Sequence, residues 1–236
     1  MLLVCAAEVE GRGLQSRLQN RLHGQAARDG AGVDAHMSEA PLEPQVIGVG
    51  KVASVVGLSH HLRPRRPALV ILFGICGVYP SAHGGVGPSL EVGDVCLVGS
   101  DRLADEGVEH ERGFTDIGRM GFGATGPFAA DPELTAAAAA ALEVPIVAGA
   151  TVSTCSGTDS RSRALARRSH ARVETMEGAA VAYLCHALDV PMIQLRAVSN
   201  RTGDRERGGW SLEPAVEAVQ RALVELLASG ALRRPS

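Results

Sequence analysis

The chain has 236 residues, a formal net charge of -3 and an apolar fraction of 45%. That composition buries a real core without metal or disulfide staples, which excludes a disordered chain. The mild acidity excludes a broadly basic nucleic-acid binder, and aromatics at 3% leave little to stack on bases.

Met1–Ala7 reads as a buried strand. Leu14, Leu18 and Leu22 recur at four-residue spacing and predict a helix over 13–27. Residues 28–44 read as loop. Residues 45–49 predict a short strand, and Val52, Val55, Val56 and Leu62 share a helical face over 51–62, ended by Pro64 and Pro67. Residues 68–74 form a near-continuous apolar run, the pattern of a central parallel strand. Gly and Pro over 79–90 predict loop, and 92–98 a strand. Residues 101–130 mix charges and glycines without period and read as a long loop covering a site. The rest predicts helices over 132–142, 161–170, within 174–188 and over 211–228. Strands are predicted over 145–152 and 191–198.

Strands alternate with helices without repeat or linker. The expected fold is α/β: one domain over 1–230, a mostly parallel central mixed sheet with helices on both faces, and a frayed tail at 231–236. The five cysteines form no CxxC pair and fit a reducing cytoplasm, not a disulfide framework or zinc site. No stretch reaches the roughly 18 apolar residues of a membrane span, and the N-terminus meets Glu8 and Glu10 too soon for a signal peptide. Membrane and nucleic-acid partners are not expected.

In parallel α/β sheets ligands bind where strands end. Polar clusters follow four predicted strands: Glu8 and Glu10; Gly74, Ile75, Cys76 and Gly77; residues 153–159; and Ser199 to Arg205. GVGKVAS at 48–54 lacks both the Walker spacing and the third glycine of GxGxxG, no GxSxG occurs, and no histidine pair has metal-ligand spacing. In VETMEGAAVAYL at 173–184, Glu174 and Glu177 flank Met176 where a helix of small residues begins. A carboxylate drawn to that helix N-terminus would stay ionised and suit a vicinal diol.

Six stretches in order, AAEVEG at 6–11, GVGKVAS, LFGICG at 72–77, TCSGTD at 154–159, VETMEGAAVA at 173–182 and LRAVSN at 195–200, resemble the nucleoside phosphorylase and nucleosidase superfamily. Within it, the resemblance is nearest to the futalosine hydrolase family. It implies the three-layer phosphorylase/hydrolase-like fold, a small-molecule nucleoside substrate, no metal or other cofactor, and a homo-oligomer, with a dimer favoured. It also implies roles. Glu10 would activate water, Glu177 would bind the ribose hydroxyls, Met176 would pack on the sugar, and Ser199 with Asn200 would meet the base. Ile75, Cys76 and Gly77 would floor the pocket, and Ser160 stands near where some relatives place an aromatic over the base.

Asn200 stands where many members carry aspartate. An amide donates to a 6-oxo group but has no proton to give up, which favours hypoxanthine over adenine. Futalosine also carries a benzoate, and Arg201 and Arg205, with Arg161 and Arg163 as further candidates, lie in loops suited to meet its carboxylate. A methylthioadenosine-type nucleosidase, a 6-oxopurine phosphorylase and a non-catalytic nucleoside-binding protein remain open alternatives.

Overall fold

The computed structural model describes residues 1–28, 42–63, 66–204 and 211–232, with side chains from 22 to 28 left aside. In chain order it holds β1 (Leu2–Cys5), α1 (Glu8–Gly11), α2 (Leu14–Arg28), β2 (Gln45–Val46), α3 (Lys51–Leu62), β3 (Val70–Val78) and β4 (Val95–Leu103). Then come β5 (Gly107–His110), β6 (Gly113–Asp116), β7 (Phe128–Ala129), α4 (Pro132–Leu142), β8 (Ile146–Thr151) and α5 (Asp159–Ser169). The chain closes with β9 (Val173–Thr175), α6 (Gly178–Ala187), β10 (Met192–Arg201) and α7 (Leu212–Ser229).

The architecture is the expected mixed α/β sheet between helices. Parallel pairs β2–β1, β1–β3, β3–β10, β4–β8 and β8–β9 outnumber the antiparallel ones. A further feature emerges at one end. β3 pairs with β1 through its first three residues and with β9 through its last two, while β10 runs along its other side. With β10–β4, β4–β8 and β8–β9 pairing as well, β3, β10, β4, β8 and β9 close into a ring. One apolar core joins the sheet to α2, α4 and α7, and a second joins it to α3 and α6. Truncating a large side chain in either core to alanine costs roughly 2–5 kcal/mol.

Local chemistry explains most boundaries. Asp131 caps α4 by accepting from Leu134 N at 3.0 Å, with Pro132 at the first helical position. Thr158 caps α5 through Arg161 N. That cap starts α5 two residues before the predicted helix.

Two expectations are corrected, and one element was not foreseen. Residues 101–130 are not one loop: β4 continues to Leu103, β5 and β6 form a hairpin, and β7 returns to pair with β4. The hairpin escapes a reading by alternation because all four β5 residues are exposed. The helix expected within 174–188 is α6, and the short strand β9, which the reading did not foresee, precedes it. The polar clusters at 74–77 and 199–201 lie within β3 and β10 rather than after them. Much of the expected 28–44 loop, the tail from 233, and Arg205 lie outside the described residues. Among the described residues no helix is long and apolar enough to cross a membrane.

Candidate active site

A cavity of about 280 Å³ opens at the ring, lined by residues from 6–10, 75–77, 155–157, 174–177 and 199–203, with Val49 and Leu212 at its sides. The fold thus brings Glu10, Ile75, Cys76, Gly77, Met176, Glu177, Ser199, Asn200 and Arg201 to one cavity. Ser160 is not among them. It sits on the exposed first turn of α5, where its hydroxyl pairs with Thr158 at 3.1 Å.

Glu10 is 4% exposed. Its Oε2 accepts from Ala6 N at 2.9 Å and Ala7 N at 3.1 Å, and its Oε1 accepts from Ile75 N at 3.0 Å. The short helix α1 holds its carbonyl too, because buried Gln220 of α7 donates to Glu10 O at 2.7 Å and Arg12 O at 3.0 Å. Gly74 makes room for this carboxylate. A Cβ there would lie 2.3 Å from Glu10 Oε1 and 2.9 Å from Arg196 Nη1.

Glu177 stands at the N-cap of α6 but makes no side-chain cap bond. Its Oε1 accepts from Gly50 N at 3.0 Å, and its Oε2 lies 3.7 Å from Arg196 Nη2. Burial raises its pKa above the ordinary glutamate range, opposed by the Arg196 charge and the Gly50 N–H. The expectation that its own helix end holds it ionised is therefore corrected. Its counterweights come from β10 and from the GVGK turn. Gly50, at φ 90°, presents its N–H to Glu177, so a turn that resembles a phosphate loop serves a carboxylate.

Arg196 is the site group that the sequence reading missed. It is fully buried, and its Nη1 donates to Ile75 O at 3.2 Å. Its Nε and Nη2 have no hydrogen-bond partner among the described residues. The available signal was a charge inside the apolar run MIQLRAV. Glu174 is a second omission from the site set. Tyr79 Oη donates to its Oε2 at 2.7 Å, and Ser156 donates through N at 2.8 Å and Oγ at 2.5 Å.

In the same lining Ser199 Oγ lies 3.1 Å from Cys76 O and 2.9 Å from Asn200 Oδ1. A hydroxyl on Oδ1 turns the amide NH2 to the other side, where Nδ2 is 3.1 Å from Arg201 O. Arg201 is paired with Glu91 at the exposed rim. Arg161 donates to Thr154 O at 2.9 Å, and Arg163 lies 3.7 Å from Asp159. Ser162, His83 and Asp159 have the composition of a hydrolytic triad. However, Ser162 is fully buried and shares its hydroxyl with Thr202 at 2.8 Å, so it presents no nucleophile.

The ring-closed mixed sheet thus carries three buried carboxylates, Glu10, Glu174 and Glu177, on one cavity, with buried Arg196 beside Glu177. Residues 37–229 match the Phosphorylase superfamily, to which the chain belongs. It is 36% identical over 197 residues to the futalosine hydrolase of Thermus thermophilus, covering 80% of this chain and 82% of that one. It is 37% identical to the Streptomyces coelicolor futalosine hydrolase, over 61% of each chain. Its fold is similar to that of a Helicobacter pylori futalosine hydrolase mutant (TM-score 0.71, 17% identity, 96% and 97% of the chains). It is equally similar to a Colwellia psychrerythraea 5'-methylthioadenosine/S-adenosylhomocysteine nucleosidase in complex with adenine (TM-score 0.73, 19% identity, 99% and 96%). Within the superfamily, the Thermus relationship places the chain in the futalosine hydrolase family.

Proposed function

We propose that this chain hydrolyses the N-ribosidic bond of futalosine, releasing hypoxanthine and dehypoxanthine futalosine for menaquinone biosynthesis. The observation that carries the reading is that Glu10, Glu177 and Asn200 line one cavity. Glu177 accepts hydrogen bonds from the 2′ and 3′ hydroxyls. Arg196 balances its charge and keeps it an acceptor as positive charge develops on the ribose. As the C1′–N9 bond breaks, its electron pair leaves with the purine. Water adds at C1′ and gives its proton to Glu10. Asn200 Nδ2 donates to the oxopurine, where the departing charge collects. The proton held by Glu10 passes through water to the base, which restores the carboxylate.

Met176 packs on the sugar, and Ile75, Cys76 and Gly77 form the floor. Gly77 keeps space open, since a Cβ there would stand 2.9 Å from Thr202 Cγ2 and 3.3 Å from Asn200 Nδ2. Arg201, at the rim, exchanges Glu91 for the substrate's benzoate. Phosphate as nucleophile would need a cation close to Glu10; Arg12, which directly follows α1, is exposed and outside the cavity lining, which favours water.

The test is chromatography of products from futalosine, inosine and methylthioadenosine, with and without phosphate. The expected result is phosphate-independent release of hypoxanthine from futalosine. Strict phosphate dependence would move the enzyme to the phosphorylases, and preferential adenine release would overturn the Asn200 argument.

A further inference from the structure

A helix begins with N–H groups that lack intrahelical partners, and the N-cap side chain ordinarily satisfies one of them. α6 departs from that pattern. Its N-cap residue is Glu177, whose carboxylate turns away to Gly50 and Arg196. Two threonines from neighbouring strands take over. Gly178 N donates to Thr175 Oγ1 at 3.3 Å, and Ala179 N donates to Thr151 Oγ1 at 2.7 Å.

The threonine hydroxyls are themselves ordered. Thr151 Oγ1 donates to Asp101 Oδ1 at 3.0 Å and lies 3.0 Å from Thr175 Oγ1. With its hydrogen committed to Asp101, Thr151 accepts from Thr175. The chain therefore runs in one direction, from the α6 amides through two hydroxyls to a buried carboxyl. Gln194 Nε2 donates to Asp101 Oδ2 at 3.1 Å and fixes its other oxygen. Gly178 permits the close approach, since a Cβ there would lie 2.1 Å from Asp101 Oδ2 and 2.4 Å from Gln194 Oε1.

We propose that Asp101, Thr151 and Thr175 are positioning residues: they cap α6 in place of Glu177 and so keep its carboxylate facing the cavity. Without them the α6 amides fall back on the N-cap side chain, Glu177, the ordinary acceptor at that position. Turning to its own helix would release Gly50 and the ribose site together. Asp101→Asn preserves the relay, because its Oδ1 still accepts from Thr151. Its new NH2 is met by rotating the Gln194 amide, whose Oε1 is buried and has no partner among the described residues.

The first readout needs no substrate. Amide hydrogen exchange is followed at Gly50 and Ala179 in the full chain, in Thr151→Val, Asp101→Ala, Asp101→Asn and Thr151→Ser. Thr151→Val is nearly isosteric and guards against simple unfolding. The first two are expected to speed Gly50 exchange at least tenfold, and the last two to leave it within twofold of the parent. Faster exchange at Ala179 alone, with Gly50 unchanged, would overturn the proposal and leave a mere helix cap. The second readout rests on the proposed futalosine hydrolysis. The ratio of kcat/KM for futalosine to that for its 2′-deoxy analogue should fall at least fivefold in Thr151→Val and Asp101→Ala and hold in Asp101→Asn. An equal loss on both substrates would overturn it. Absence of wild-type turnover would refute the hydrolase reading and leave the Gly50 comparison to decide the positioning role.

Discussion

Three backbone N–H groups converge on Glu10, so an amide in its place meets a donor on at least one side. Glu10→Gln is expected to lose about 1–3 kcal/mol of stability from that mismatch and about a thousandfold in turnover from loss of the base. Nucleoside binding by calorimetry should be largely spared; unchanged turnover would remove Glu10 from the mechanism. Arg196→Gln tests the opposite carboxylate. Burial already raises the Glu177 pKa, and without the guanidinium it rises further. Glu177 binds hydroxyls best when ionised, so the acid limb of kcat/KM should move to higher pH, and an unmoved limb would separate the two groups. Glu10 and Glu177 were legible because each stands beside a recognisable stretch. Arg196 and Asp101 were not, because nothing in a strand's apolar pattern says whether an embedded charge finds a buried partner. At the rim, Arg201→Ala should raise KM about tenfold for futalosine and leave it unchanged for inosine, which lacks the benzoate. A common effect on both substrates would return Arg201 to its Glu91 pair.

At the scale of elements, long apolar runs and capped helices declared themselves, and short pieces did not. β9 has three residues and merges in sequence with the start of α6. Its alternation is too brief to read, yet it closes the ring and carries Glu174 and Thr175. β3 and β10 run past their apolar stretches because neighbouring strands continue to pair with them. The GVG turn shows the same limit from another side. Glycines at 48 and 50 announce a turn, but only packing reveals that the turn holds Glu177. That packing depends on Gly57 of α3, where a Cβ would lie 2.2 Å from Ile47 O and 2.8 Å from its carbonyl carbon. Backbone atoms cannot rotate away as a side chain can. Gly57→Ala should therefore cost roughly 3 kcal/mol and push the 48–50 turn off Glu177. Thermal unfolding together with KM checks both halves; lower stability with normal KM would show that the turn is held independently of α3.

Across the whole molecule, the site demands charges in places where folding penalises them. Glu177, Arg196 and Asp101 all lie inside the protein, and the penalty for Asp101 sets a pH dependence. Burial pushes the Asp101 carboxyl up to about 6 from an ordinary 3.8, despite donors from Gln194 and Thr151 and the field of Arg196. A carboxyl raised on folding favours the folded state while protonated. Its contribution is full below the ordinary value and is lost as pH rises through about 6, a difference of about 3 kcal/mol. Asparagine does not ionise, so Asp101→Asn should gain on the parent as pH rises from 4 to 8, with most of the change before pH 7. Denaturant unfolding of both proteins across that range measures the gap directly. A constant gap would mean that Asp101 titrates alike folded and unfolded, and that its partners compensate its burial in full. A widening gap combined with retained Gly50 protection would show that the carboxylate's charge is a cost the fold carries, while its hydrogen bond to Thr151 is what sets Glu177.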